Sequence, residues 1–175
     1  MPGMMDTILN LGLNQETVRG LSDSTGNPQF ALDSYRRFIQ MFSKVVLGMD
    51  ANRFEEILAA KKRAVGAIQD ADLTAEALEQ ICQDFKALVL EETGKPFEED
   101  PQKQLSESIK AVFHSWNNQR AFDYRNYNNI PHDLGTAVNI VSMVFGNMGD
   151  DCGTGVAFTR NPATGDNELY GEFLT

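Results

Sequence analysis

The chain has 175 residues, 42% of them hydrophobic and 23% charged, with a formal net charge of −10. That length supports one good core, or two small subdomains sharing one, and the composition is ordinary for a globular protein. The acidic balance argues against nucleic acid as a partner, because a phosphate backbone demands a Lys/Arg surface, and the longest apolar runs fall far short of a membrane span.

The chain opens on Met-Pro-Gly-Met-Met-Asp-Thr. Pro2-Gly3 is turn-forming, and Met4-Met5 is apolar enough to pack beneath a flat ring; equally, the segment reads as a disordered start before a short helix. From about Asn14 to Asn128 the pattern is helical nearly throughout. Residues Pro28 to Leu47 put Ala31, Tyr35, Phe38, Phe42 and Val45 on one stripe, and Phe54, Ile57 and Leu58 do the same in a shorter basic helix ending near Val65-Gly66. Thr74 reads as the N-cap of a helix lined by Leu78, Ile81, Phe85, Leu88 and Val89 and stopped by Gly94. Asp100-Pro101 supplies an N-cap followed by proline at the first helical position. The helix it starts carries Leu105, Ile109, Val112, Phe113 and Trp116 on one side, with Trp116 expected in the core. A last helix is expected from about Asn118 to Tyr127, and Pro131 closes the region.

After Leu134 the period turns strand-like. Residues 136–145, 156–159 and 168–174 read as three strands in an antiparallel meander, with turn chemistry in Asn161-Pro-Ala-Thr-Gly-Asp166. Between the first two strands lies Gly146-Asn-Met-Gly-Asp-Asp-Cys-Gly-Thr-Gly155. Its glycines let backbone amides approach a ligand, and the Thr154 hydroxyl adds a donor, so the loop suits a phosphate. The same glycines also suit a long hairpin connection. No Gly-Lys-Ser/Thr opens a helix afterwards, so it is not a P-loop. Asp150 and Asp151 either hold water or Mg²⁺ or form a solvated tip.

The remaining chemistry is sparse. Cys82 and Cys152 lack any metal or disulfide spacing and read as free thiols in a reducing compartment. The N-terminus lacks the basic and apolar regions of a signal peptide, so a cytoplasmic location is expected. His114 reads as flanking the core, and His132 has no obvious partner. Arg36-Arg37 and Lys61-Lys62-Arg63 read as solvated helix faces and residues 91–100 as an acidic solubilising boundary. Arg120 and Arg125 read as sharing a face that suits a phosphate or an acidic surface.

Four stretches together resemble the nucleotide-binding domain of the pyruvate, phosphate dikinase family. They are Pro2 to Asn14, Asp33-Ser-Tyr-Arg-Arg-Phe-Ile-Gln-Met-Phe42, Ser115-Trp-Asn-Asn118 with Asn129-Ile-Pro131, and the glycine loop through Tyr170-Gly171-Glu172. The resemblance implies an α+β, mainly helical piece of an ATP-grasp-like nucleotide-binding domain, with a helical subdomain and a small antiparallel sheet. It divides into a phosphate-loop segment at 1–13, a helical subdomain at 14–134 and a β segment at 135–175. It further implies that Pro2, Gly3 and Met4 form a loop against the triphosphate of ATP, and that Gly153, Thr154 and Gly155 lie near the nucleotide on the strand side. Such contacts position phosphates rather than transfer protons.

In that family the complete enzyme interconverts ATP, phosphate and pyruvate with AMP, pyrophosphate and phosphoenolpyruvate, through a phosphohistidine on a swivelling domain and with Mg²⁺. The implied partners are ATP and the rest of a parent chain, with no nucleic acid and no membrane. The family's Thr-Ser-His motif is absent, as are the basic residues expected before Met-Pro-Gly and the acidic Mg²⁺ ligands expected beyond Thr175. Cys152 stands where a serine is expected. Both ends are therefore expected to fall inside the parent's ATP-binding domain, and the chain alone is expected to be inactive. Rival readings are phosphoenolpyruvate synthase or a related dikinase, or a helical docking module for the swivelling domain; the long helical insertion around Asp33–Phe42 favours the dikinase.

Overall fold

A computed structural model of the chain describes residues 3–149 and 151–174. Six helices follow one another, and local capping chemistry explains most of their limits. Asn14 starts α1 (Gln15–Thr25) by accepting from the Glu16 and Thr17 amides, while the Thr17 hydroxyl accepts from the Asn14 amide. Asn27 caps α2 (Pro28–Val45), with proline at its first position. Asp50 caps α3 (Ala51–Val65), Thr74 caps α4 (Ala75–Thr93) and Asp100 caps α5 (Pro101–His114). Asn118 caps α6 (Gln119–Tyr127). Gly66 and Gly94 end α3 and α4 in left-handed conformation. Helices α2 to α6 match the sequence expectation, including the Thr74, Gly94 and Asp100-Pro101 signals, while for α1 the sequence predicts only a generally helical stretch from about Asn14.

The core forms where α2 packs on α1 and α4, with α3 beside α4. Phe38, Phe42 and Phe97 meet with ring centroids 5.5 to 5.9 Å apart, and Phe54 meets the edge of Phe85 at 5.0 Å. All five rings are buried, and such arrangements add stability beyond the area they bury. Among the described residues, no helix is long and apolar enough to cross a membrane.

Three sequence expectations need correction. Arg36 is not solvated: its side chain is 2% exposed, bound to Asp33 at 2.6 Å and to Asp70 at 3.2 Å. Arg37 and Lys62 complete the network, on Asp33 at 2.7 Å and Asp70 at 2.9 Å. The arginine sits on the inward side of α2 because two carboxylates meet it there, which hydropathy cannot foresee. A docking-module reading that draws on Arg36-Arg37 as an exposed basic pair thereby loses Arg36. Second, the buried residues of α5 are Gln104 and Ser108, not its apolar stripe. Leu105, Ile109 and Val112 are half-buried, Phe113 is exposed and Trp116 is half-buried beyond the helix end.

Third, residues 136–145 do not form a strand. Among the described residues the sheet is one antiparallel pair, β1 (Thr154–Phe158) with β2 (Tyr170–Leu174), Val156 opposite Glu172. A run of β-branched and apolar residues forms a strand only where a neighbouring ladder takes up its backbone groups, and Ile140, Val141 and Val144 are exposed instead. The turn expected at 161–166 is present. The Gly165 amide donates to Asn161 O at 2.8 Å, and the Asn161 side chain accepts from the Ala163 amide at 3.0 Å. The chain divides into two compact units, Met1–Val141 and Ser142–Thr175. The first holds all six helices and the second holds the hairpin.

Candidate functional site

The N-terminal motif begins with Gly3, whose φ of +71° lies in the left-handed region and whose missing Cβ would meet nothing within 4 Å. Its backbone is thus bare on the side where a side chain would stand. Pro2 lies outside the described residues. Met4 and Met5 are half-buried. From Met4 to Leu13 the segment is hydrogen-bonded to α5 and the turn that follows it. Gln104 accepts from the Gly12 amide at 3.0 Å and donates to Leu13 O at 3.2 Å. Ser115 accepts from the Asp6 amide at 3.0 Å, and Asn118 donates to Met4 O at 3.2 Å. The Asp6 carboxylate is bound by Arg120 at 2.9 Å.

A cavity of about 430 Å³ opens beside these contacts. Asp6, Ser115, Asn117 and Asn118 line it together with Lys110 and His114. The lysine is in an ion pair with Glu107 at 2.7 Å. Half of the Ser115-Trp-Asn-Asn motif thus contacts the N-terminal motif, a meeting of residues 109 and 114 positions apart in sequence.

The rest of that motif builds a polar and aromatic cluster. Arg125 is 1% exposed. Its guanidinium lies 4.2 Å from the Trp116 ring and donates to Trp116 O at 2.6 Å. Its Nε donates to His132 Nδ1 at 2.8 Å. His132 Nδ1 must therefore be unprotonated, which leaves Nε2–H to donate to Asn126 Oδ1 at 3.1 Å. The imidazole stacks on Phe122 at 4.6 Å, and His132 O accepts from the Trp116 indole at 3.1 Å. The sequence reading left His132 without a partner and placed Arg125 beside Arg120. The structure buries Arg125 and turns Arg120 to Asp6, because five residues on a helix turn a side chain to a different face.

The glycine loop belongs to the second unit. A Cβ on Gly146 would stand 2.7 Å from Gly153 O and 2.7 Å from the Thr154 Cβ. On Gly155 it would meet Glu172 O at 2.7 Å, and on Gly171 it would meet Val156 O at 2.3 Å. Backbone packing alone therefore requires glycine at 146, 155 and 171. The Cys152 amide closes a turn onto Gly149 O at 3.0 Å. Gly153 directly precedes β1, which opens with Thr154 and Gly155. Asp150 is outside the described residues; Asp151 is exposed beside the Cys152 thiol at 3.5 Å. Among the described residues, no group of three or more His, Cys, Asp or Glu is placed to hold a metal ion.

Sequence reasoning missed Gln104 and the inward role of Ser115. Their signal was available: Gln104, Ser108 and Ser115 recur at helical spacing, an amphipathic stripe that is polar on the buried side.

Residues 1–171 match the family described as pyruvate phosphate dikinase, AMP/ATP-binding domain. The chain is 56% identical to pyruvate, phosphate dikinase of Giardia intestinalis and 55% identical to that of Clostridium symbiosum. In both, the match covers 99% of this chain and 20% of the relative. A chloroplastic pyruvate, phosphate dikinase from Mesembryanthemum crystallinum is 54% identical over 99% of the chain and 18% of its own length. The chain thus spans about a fifth of the length of the curated relatives it matches.

Proposed function

The chain belongs to the pyruvate phosphate dikinase AMP/ATP-binding domain family, and from that premise we propose that it supplies phosphate-contacting backbone to an ATP site. The family match over residues 1–171 carries this reading. Gly3 and Met4, with Pro2 of the same motif, form one contact and Gly153, Thr154 and Gly155 the other. Residues 1–13 serve as the phosphate segment, 14–134 as a helical subdomain and 135–175 as a β segment, in an ATP-grasp-like arrangement.

Two observations fit a triphosphate. The backbone at Gly3 is open where a Cβ would stand, so its amide can approach a phosphate oxygen closely. The carboxylate within the motif, Asp6, is paired with Arg120 at 2.9 Å, which offsets its charge against an incoming anion. In this reading Mg²⁺ arrives with the nucleotide as part of the substrate. The complete enzyme would interconvert ATP, phosphate and pyruvate with AMP, pyrophosphate and phosphoenolpyruvate through a phosphohistidine on another domain. It would work in the cytoplasm, and this chain alone would not turn over.

Amide NMR of the chain during titration with Mg-ATP tests the reading. Shifts concentrated at Gly3, Met4 and Gly153–Gly155 are expected. Spectra that stay flat at millimolar nucleotide, or shifts confined to other residues, would overturn it.

A further inference from the structure

Three polar side chains of α5 and the following turn each bond in two directions. Gln104 is fully buried. Its amide donates to Glu98 O at 2.8 Å and Leu13 O at 3.2 Å and accepts from the Gly12 amide at 3.0 Å. The Ser115 hydroxyl gives its proton to Val112 O at 2.7 Å, which leaves a lone pair for the Asp6 amide at 3.0 Å. Asn118 Oδ1 caps α6 by accepting from the Ala121 amide at 2.7 Å, and its Nδ2 donates to Met4 O at 3.2 Å. Turning that side-chain amide over would lose both bonds. Each residue is therefore fixed on one side, Gln104 by the loop before α5, Ser115 by α5 and Asn118 by α6, and holds the N-terminal segment on the other. The anchored points run Gly12–Leu13, Asp6 and Met4 while α5 and its turn run 104, 115 and 118, so the segment lies antiparallel to the helix with its register set at three places.

We infer that Gln104, Ser115 and Asn118 are positioning residues that fix where the Gly3-Met4 backbone meets a phosphate. The inference rests on the nucleotide reading above. A short glycine-containing turn has many backbone conformations, and ordering it on binding costs conformational entropy. Anchoring the turn to a helix before the ligand arrives removes that cost from the binding step. The Asp6–Arg120 pair adds little as a tether, because Arg120 is 62% exposed; its part is to mask the carboxylate.

The test uses the whole chain with Asn118→Ser and, separately, Ser115→Ala. Serine at 118 keeps a neutral N-cap oxygen for α6 but removes the donor to Met4 O. Each variant should weaken Mg-ATP binding about three- to tenfold, the effect of one lost hydrogen bond. The Gly3 and Met4 amide resonances should shift even without nucleotide, while hydrogen-exchange protection of α6 stays at the parent level. If the parent binds and both variants bind equally well, the inference fails and the nucleotide reading stands. If affinity falls only together with α6 protection, the residues are merely structural and the inference also fails. If the parent itself does not bind, the nucleotide reading falls and takes the inference with it.

Discussion

Replacing Arg36 with methionine isolates a charge network that is carried into the core. The Arg36 side chain is 2% exposed, against 17% for Asp33 and 34% for Asp70. Removing one member of a buried ion pair costs about 3–5 kcal/mol, because the remaining charge is left uncompensated. Here each carboxylate keeps a second cation, Arg37 on Asp33 at 2.7 Å and Lys62 on Asp70 at 2.9 Å. Asp70 is also a third exposed, so water screens part of its charge. We therefore expect Arg36→Met to lower the unfolding free energy by about 2–3 kcal/mol at neutral pH.

The pH dependence is the sharper part of this prediction. Burial pushes the Asp70 carboxyl up, but the Lys62 hydrogen bond and the charges of Arg36, Lys62 and Arg37 outweigh it and hold Asp70 below the ordinary carboxylate range. A carboxyl depressed in the folded state contributes stability above its unfolded pKa and loses it as pH falls through the folded value. The methionine variant lacks one of the depressing charges, so the gap between parent and variant should narrow on acidification. Urea unfolding followed by far-ultraviolet circular dichroism, at neutral pH and at about pH 3, measures both quantities. A loss below about 0.5 kcal/mol at neutral pH, or a gap that widens in acid, would refute the reasoning.

Two further outcomes follow from burial and backbone packing. Cys82 is buried and its thiol is pushed up to about 12 by burial, against the lowering influence of Lys86 and Arg36. Cys152 is only half-buried, so a thiol reagent should label Cys152 in the folded chain and Cys82 only after unfolding; rapid double labelling of the folded chain would contradict this. Gly171→Ala would place a methyl 2.3 Å from Val156 O, so the β1–β2 amide cross-peaks should be lost while helical circular dichroism is kept. A variant that retains the Val156–Glu172 pairing would show that the strands have room to move apart.

The helices were legible because their limits are set locally. Asn14, Thr74, Asp100 and Asn118 each cap the helix that follows within three residues, and a sequence window contains the whole interaction. Arg36 was not legible for the opposite reason. One of its partners, Asp33, lies a helical turn away, but Asp70 comes from 34 residues on, and only the meeting of α2 with that later turn makes burial tolerable. Residues 136–145 fail on the same ground. They are rich in β-branched and apolar residues, but a strand is a property of two segments, and the second is missing among the described residues.

The glycines separate two demands that the motif reading had merged. Gly146, Gly155 and Gly171 stand where backbone carbonyls would collide with any Cβ, so the fold of the second unit accounts for them without a ligand. Gly3 is different: a Cβ there would meet nothing, and the only local demand is its φ of +71°. Gly12, Gly66 and Gly94 share that open, left-handed backbone, so what sets Gly3 apart is its place beside the Met4 and Asp6 contacts to Asn118 and Ser115. The glycine-rich loop dominates the sequence by eye. The six-residue stretch from Gly3 to Ile8, tied to Ser115 and Asn118, is where ligand contact can be tested apart from fold.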